Sequence, residues 1–250
     1  MKIVKIKFKE PRTWRYIIGS IEKIIDEGVF TINEEGLHFR ALDTSRIVMI
    51  DFIYPKSSFE EFDVDKEENI GVSFSTLSDI LKRAEKDDEL EMISDENSIT
   101  LKYIGKGERL FKIPQISLSQ DKLPEPKITF TVKAKLTNNT FIDIINDIEA
   151  IGESITIRAD DNENKLIITG KGDIESAEIE LSLEKQNLIE LSIDSPDSST
   201  YSIEYLSDML MAAKEADLIT LMYSQDAPAK IDMEYQNGGR ITFYISPRID

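Results

Sequence analysis

Leu77-Ser78-Asp79-Ile80-Leu81-Lys82-Arg83-Ala84 returns later in the chain as Leu206-Ser207-Asp208-Met209-Leu210-Met211-Ala212-Ala213. A second match lies upstream of each copy: Trp14, Ile17, Ile18, Ile21 and Ile24 reappear as Phe141, Ile144, Ile145, Ile148 and Ile151. The two pairs share almost the same separation, close to half the chain, so they mark one duplicated unit. Each copy holds roughly 120 residues, an ordinary domain size. Within both segments apolar residues recur at i, i+3, i+4 and i+7, the spacing of one buried helix face. The duplication predicts two similar domains, each carrying two amphipathic helices.

The flanking sequence reads as strands. Residues 2–9 alternate apolar and charged side chains, with Lys2 outward and Ile3 inward, and this opening strand stands where a secretory signal would. Pro11 suits the first turn of a helix, and Gly28 is read as that helix's end. Strands are expected at 29–33, 36–41, 47–54 and 71–74. A second helix is expected over 75–86, with Leu77, Ile80, Leu81 and Ala84 inward, then strands at 90–94, 98–104 and 109–113. Residues 114–127 contain Pro114, Pro124 and Pro126, with little periodicity, and read as an extended connector. From Ile128 the order restarts: a strand, a helix over 139–152, strands, a helix over 203–216, and strands to Ile245. Alternating strands have one wet face, which favours antiparallel sheets. The expected fold is α+β: an N-terminal domain over 1–115, a connector over 116–127, and a C-terminal domain over 128–250.

Composition narrows the chemistry. Hydrophobic residues make up 40% of the 250, enough for real cores, and there is no cysteine, so disulfides and thiolate sites are excluded. No apolar run approaches the ~18 residues of a membrane span, which points to an intracellular protein. The net charge of −18 speaks against a uniformly basic nucleic-acid binder. A partner responds to local charge, however, and not to the sum.

No stretch reads as a catalytic, cofactor or metal site. His38 is the only histidine and has no visible partner for catalysis or metal binding. Asp160-Asp161-Asn162-Glu163-Asn164 is rich in oxygen ligands but lacks the spacing and glycine of a calcium loop, and reads as a hairpin turn. Gly105-Lys106-Gly107 and Gly170-Lys171-Gly172 are too short to cradle a phosphate and also read as turns.

The helix charges carry more. The first helix places Arg12 and Arg15 away from its apolar stripe, and the second places Lys82, Arg83 and Lys86 there. A charged helix face is usually just solvated. Two helices sharing basic outer positions in so acidic a chain nevertheless suit a phosphate backbone of any sequence. The second copy differs: Arg12 and Arg15 correspond to Asn139 and Ile142, and Lys82-Arg83 to Met211-Ala212. Its first helix carries Asp143, Asn146, Asp147 and Glu149, and the other offers only Lys214. Two strands are also charged in opposite senses. Lys106, Arg109 and Lys112 mark a late strand of the first half, and Glu175, Glu178 and Glu180 mark one of the second. Such edges suit head-to-tail association of subunits.

Three motifs in order carry a resemblance. They are Gly36-Leu37-His38-Phe39-Arg40-Ala41-Leu42-Asp43-Thr44-Ser45-Arg46-Ile47, Ser224-Gln225-Asp226-Ala227-Pro228, and Ile241-Thr242-Phe243-Tyr244-Ile245-Ser246-Pro247-Arg248-Ile249. With the duplication and the connector, the chain resembles the archaeal and eukaryotic sliding clamps of the proliferating-cell-nuclear-antigen family over its whole length. The resemblance implies a DNA-clamp fold whose subunits form a pseudo-sixfold trimeric ring around duplex DNA. The clamp would act as a DNA polymerase processivity factor, tethering polymerase, ligase and flap-endonuclease clients, with no enzymatic activity of its own. An ATP-dependent loader would open the ring, and the protein would sit in the cytoplasm or nucleoid, or in the nucleus of a eukaryote. By motif position, Leu42, Arg46, Ile47, Met49, Pro228, Tyr244, Ser246 and Pro247 would line a pocket for a short apolar-aromatic client peptide. Leu123 and Pro124 in the connector would cover it. Asp121 stands where the family more often has an apolar residue. A checkpoint-type clamp acting at DNA damage and a metal-dependent hydrolase built on residues 160–164 are the competing readings.

Overall fold

The computed structural model describes residues 4–9, 11–85, 87–119 and 123–248. The expectations placed on Lys2, Ile3, Lys86, Asp121 and Ile249 lie outside the described residues. The first half runs β1 (Val4–Phe8), α1 (Pro11–Ile24), β2 (Glu27–Asn33), β3 (Gly36–Leu42), β4 (Val48–Pro55), β5 (Phe59–Val64), β6 (Glu68–Ser73), α2 (Phe74–Leu81), β7 (Glu89–Ser94), β8 (Ser98–Ile104) and β9 (Glu108–Pro114). The second runs β10 (Val132–Thr137), α3 (Asn138–Glu149), β11 (Ser154–Asp160), β12 (Lys165–Lys171), β13 (Ser176–Ser182), β14 (Glu190–Ile193), β15 (Ser198–Ser202), α4 (Ile203–Asp208), α5 (Leu210–Ala213), β16 (Leu218–Tyr223), β17 (Ala229–Glu234) and β18 (Arg240–Ile245).

These elements form two compact units that are not simply consecutive. The first comprises Met1–Ala41, Ile50–Leu123 and Tyr235–Ile241; the second comprises Leu42–Met49, Pro124–Glu234 and Thr242–Asp250. In the first unit one sheet has the order β5-β1-β7-β8-β9, and β4, β3, β2 and β6 lie side by side in another. In the second the orders are β13-β12-β11-β15 and β14-β10-β16-β17-β18. The pairings are antiparallel, as the alternation predicts; Gly28 faces Val72 across β2 and β6, and Ala134 faces Leu221 across β10 and β16.

The duplicated helix stripes are buried as expected. Trp14 of α1 is fully buried with ring centroids of Phe8 at 4.7 Å, Phe30 at 5.6 Å, Phe52 at 5.8 Å and Tyr54 at 6.0 Å. In the second unit Phe141, Ile144, Ile145 and Ile148 of α3 are buried, and the first three line an apolar void of about 30 Å³ among mostly aliphatic side chains and Tyr201. Polar caps start two helices: Ser73 Oγ accepts the Thr76 N–H at 3.4 Å, and Thr137 Oγ1 accepts that of Thr140 at 3.3 Å.

The sequence reading needs several corrections. Helix α1 ends at Ile24, and Gly28 lies inside β2, where a Cβ would stand 2.5 Å from Phe39 and 2.9 Å from Phe74. That glycine serves close aromatic packing and does not cap the helix. Gly170 and Lys171 belong to β12; a Cβ on Gly170 would press within 2.8 Å of Ile148, so its absence lets α3 lie close on the sheet. Strand β5 carried no clear periodicity and was not expected. Helix α2 stops at Leu81, five residues short of the expected end. The Lys82 N–H to the Ser78 carbonyl at 2.9 Å and the Arg83 N–H to the Ile80 carbonyl at 3.0 Å close its end, and the turn that follows is held by Arg109 Nη1, donating to the Arg83 carbonyl at 3.1 Å, and by Asp88, accepting the Glu85 N–H at 2.6 Å. The helix expected over 203–216 is broken at Met209, whose N–H bonds the Leu206 carbonyl at 3.2 Å in a tightened turn. The break buries Ala212 and leaves Leu210 half-buried, so Ala212 is a core position and not an outward one.

Candidate functional site

The excursion Leu42–Met49 into the second unit is built around one carboxylate. Asp43 is buried; its Oδ1 accepts the N–H groups of Ile47 at 2.7 Å and Val48 at 2.8 Å, and its Oδ2 accepts that of Ser45 at 3.1 Å. The Asp43 N–H donates to the Val48 carbonyl at 2.9 Å, and Arg46 turns the chain at φ 59°, a left-handed conformation that ordinary residues avoid. The loop is therefore closed on itself, with Leu42 and Arg46 exposed, Ile47 half-buried and Met49 buried. The C-terminal segment runs beside it, the Ser246 N–H donating to the Ile47 carbonyl at 2.8 Å.

A second loop of the same unit, 224–228, is fixed as firmly. Ser224 Oγ donates to the Thr129 carbonyl at 2.7 Å and accepts the Thr131 N–H at 3.0 Å. Asp197 accepts from Thr131 Oγ1 at 2.5 Å, Ser195 Oγ at 2.7 Å and the Gln225 N–H at 3.1 Å, and these bonds hold its carboxyl below the usual range. Tyr201 donates its hydroxyl to the Ala227 carbonyl at 3.0 Å, just before Pro228; burial pushes this phenol up to about 12, so it remains a donor. Strands β17 and β18 are neighbours joined by a turn, which sets Pro228 and Ser246 at the same end of the pair. Lys230 Nζ lies 5.9 Å from the Tyr244 ring centroid. Leu42, Arg46, Ile47, Met49, Pro228, Tyr244, Ser246 and Pro247 thus belong to one unit, on strand ends and on two loops pinned by polar side chains. The sequence reading missed Asp43, Asp197 and Tyr201, although the acid opening Asp43-Thr44-Ser45 is a turn signal in its own right.

In the first unit His38, Arg40 and Asp51 form a polar cluster on the neighbouring strands β3 and β4. Asp51 Oδ1 lies 2.7 Å from His38 Nε2, and its Oδ2 accepts from Arg40 Nη2 at 2.8 Å. Burial alone would raise the Asp51 carboxyl, yet the two hydrogen-bonded partners outweigh it and hold the group below its ordinary value. Arg40 Nη1 also donates to the Leu123 carbonyl at 3.1 Å. His38 therefore has a partner, and it is structural.

The basic helix positions have unequal surroundings. Arg12 is exposed and Arg15 half-buried, with guanidinium carbons 5.6 and 5.9 Å from the Tyr16 ring centroid. Lys82 pairs with Glu22 and Asp79, each at 3.4 Å, whereas Arg83 is exposed. In the second unit Asp143, Asn146, Asp147 and Glu149 of α3 are exposed, and so is Lys214.

The two charged strands are both sheet edges. Strand β9 ends the order β5-β1-β7-β8-β9, and β13 ends β13-β12-β11-β15. Much of their charge is met within the chain. Arg109 is held by Asp88 and lies 5.3 Å from the Tyr103 ring; Lys106 stands 3.9 Å from Glu85, and Lys112 3.6 Å from Asp95. Glu180 is held at about 2 by hydrogen bonds from Lys185 and Lys165, while Glu175 and Glu178 form no ion pair among the described residues. Apolar side chains are left over: Leu110 on β9 is 62% exposed, and Ile174 beside β13 is 92% exposed. Residues 160–164 form the β11–β12 hairpin turn, Asp160 Oδ1 accepting the N–H groups of Asn162 and Glu163 at 3.1 Å each.

Comparison with known proteins agrees over the full chain. Residues 3–123 match the family model for the N-terminal domain of proliferating cell nuclear antigen, and residues 122–248 match that for its C-terminal domain. The chain is 45% identical over 251 residues to DNA polymerase sliding clamp 3 of Aeropyrum pernix, covering both chains completely. It is 33% identical to the DNA polymerase sliding clamp of Thermofilum pendens, covering 99% of this chain and 100% of that one. Among solved structures it overlays on a chain of the PCNA2–PCNA3 complex from Sulfolobus tokodaii with a TM-score of 0.91 at 34% identity, covering 98% of this chain and 99% of that one. It overlays on PCNA from Thermococcus kodakaraensis with a TM-score of 0.92 at 28% identity, covering 98% and 100%. The chain belongs to the proliferating-cell-nuclear-antigen family of sliding clamps, scaffolds that carry no catalytic activity.

Proposed function

We infer that this chain is a subunit of a DNA sliding clamp and serves as a DNA polymerase processivity factor. The observation that carries the reading is the match of both family domains across the chain, with clamp structures overlaying almost all of it. The ring of three subunits closes through edge strands β9 and β13, around Lys106, Arg109, Lys112, Glu175, Glu178 and Glu180. Arg12, Arg15, Lys82, Arg83 and Lys214 face the encircled duplex. The attachment is topological: a closed ring cannot leave DNA without opening, so its phosphate contacts stay weak enough to slide. Beyond about 8 Å at physiological salt, the acidic exterior exerts little force on DNA.

Client proteins dock by an apolar-aromatic peptide on Leu42, Arg46, Ile47, Met49, Pro228, Tyr244, Ser246 and Pro247, with Leu123 and Pro124 of the connector beside it. Aromatic anchors in an apolar pocket supply most of such binding energy. Polymerase, ligase and flap endonuclease are the client classes, and an ATP-driven loader opens the ring. The exposed carboxylates of α3 add a further point. A ring of three identical chains would alternate basic and acidic arcs around its hole, so other clamp chains supply part of the positive lining. The complex of two different clamp chains from Sulfolobus tokodaii is consistent with this arrangement.

The decisive experiment compares templates. The assembled ring, loaded on nicked circular DNA, is expected to remain bound in salt that screens side-chain contacts, and to slide off the same DNA once linearised. Equal loss from both templates overturns topological binding.

A further inference from the structure

The chain passes between its two units five times, and three of these passages lie between Ala41 and Leu42, between Met49 and Ile50, and between Leu123 and Pro124. The His38–Arg40–Asp51–Leu123 cluster touches the first-unit side of all three passages. Arg40 stands one residue before the first, Asp51 one residue after the second, and Leu123 is the last residue before the third. Side chains alternate along a strand. His38, Arg40 and Leu42 therefore share one face of β3, and Met49, Asp51 and Ile53 share one face of β4. Arg40 and Asp51 are each one step along from a residue assigned to the client pocket.

The cluster has a direction. Asp51 is 5% exposed and takes a nitrogen on each carboxylate oxygen, at 2.7 Å from His38 and 2.8 Å from Arg40. With Oδ1 taken up by His38, the other carboxylate oxygen anchors Nη2 of the Arg40 guanidinium by a charge-assisted hydrogen bond. That leaves Arg40 Nη1 aimed at the Leu123 carbonyl, 3.1 Å away and 83 residues along the chain. Two further main-chain bonds tie down the connector's start, from Gln115 N–H to the Asn97 carbonyl at 2.9 Å and from Ile116 N–H to that of Gly71 at 3.0 Å. Between Ile116 and Leu123 the described residues make no other such bond, so Arg40 holds the far end.

We propose that Arg40 is a positioning residue for client binding: oriented by Asp51, it grips the connector at Leu123 and so sets the segment beside which a client peptide lies. Arg40 touches no client in this scheme. The proposal rests on the peptide-docking reading above, and it supplies a reason for a buried carboxylate that no chemistry uses. Releasing the grip makes the peptide pay for ordering the connector, which weakens binding mainly through faster dissociation.

The test uses the full-length clamp in its native assembly, a fluorescent peptide bearing aliphatic and aromatic anchors, and hydrogen exchange read by mass spectrometry. Arg40→Ala is expected to weaken the peptide about 5–10-fold and to speed exchange across residues 116–127 with β3 and β4 little changed, while the thermal midpoint falls because buried Asp51 loses one of its two partners. Arg40→Lys, which keeps the charge on a single donor nitrogen but not the planar fork, is expected to recover part of both effects. Wild-type affinity together with wild-type connector exchange in Arg40→Ala overturns the proposal. So does faster exchange throughout β3 and β4 in both Arg40→Ala and Arg40→Gln, because the residue then only supports the fold. If the wild-type clamp fails to bind the peptide, the docking reading falls instead, and the exchange comparison alone still decides whether Arg40 holds the connector.

Discussion

Asp43 shows how one side chain can shape a surface it does not form. Its two oxygens satisfy three main-chain N–H groups of the 43–48 loop, so the loop that presents Leu42 and Ile47 depends on it. Asp43→Ala strands those donors and is expected to cost about 1–3 kcal/mol of stability. It should also weaken the client peptide, checked by thermal unfolding and titration. Asp43→Asn, keeping one acceptor oxygen, should lose less of both. Acid sensitivity has its own residue-level source. The Asp51 carboxyl is lower in the folded chain than its ordinary 3.8, so the folded state binds this proton less readily than the unfolded one. Its contribution is present above that ordinary value and is lost as pH falls through the folded value. Asp197 acts with the same sign. Replacing Asp51 by Asn is expected to flatten the fall in unfolding midpoint below about pH 4; an unchanged slope would remove Asp51 from the account.

At the scale of elements, the duplicated stripes behave alike and the outward faces do not. Helices α1 and α3 bury matching positions, yet α1 packs an aromatic cluster around Trp14 where α3 packs mostly aliphatic chains with Tyr201. The repeat pair α2 and α4–α5 diverges more, since the break at Met209 rotates the following turn and buries Ala212. In the proposed ring the edge strands β9 and β13 carry the subunit contact. The cations of β9 are largely engaged within the chain, so Leu110, 62% exposed, is the better candidate for a contact there than Arg109. Leu110→Asp is expected to leave the unfolding midpoint of the isolated chain nearly unchanged, as exposed substitutions usually do. It should nevertheless abolish ring assembly in size-exclusion chromatography. Assembly at wild-type levels would place the subunit contact elsewhere.

For the whole molecule the question is how charge is shared. The chain carries −18 overall, the basic residues of α1 and α2 sit in the first unit with only Lys214 beside the helices of the second, and the exposed face of α3 is acidic. Three identical copies would place acidic arcs toward the same phosphate backbone that the basic arcs attract. Light scattering on the purified chain at low micromolar concentration is therefore expected to report a species smaller than a trimer, rising to trimer mass only when companion clamp chains are added. A stable trimer of this chain alone would show that it needs no companions.

The amino-acid order by itself determined the duplication, the two α+β domains, the buried helix stripes and membership in the clamp family. Each of these is written in local periodicity or in short contiguous motifs. It did not show that Gly28 and Gly170 serve packing, that the last helix breaks, or that Leu42–Met49 belongs with the second unit. Nor did it separate engaged charges from available ones. Lys82, Arg109 and Glu180 look alike in sequence to Arg83 and Glu178, but their partners are brought in by folding. His38 and Arg40 meet Asp51 across a strand pair, and Arg40 reaches Leu123 across 83 residues. Such contacts depend on strand order and close approach, which residue spacing does not encode, and the tertiary structure alone decides them.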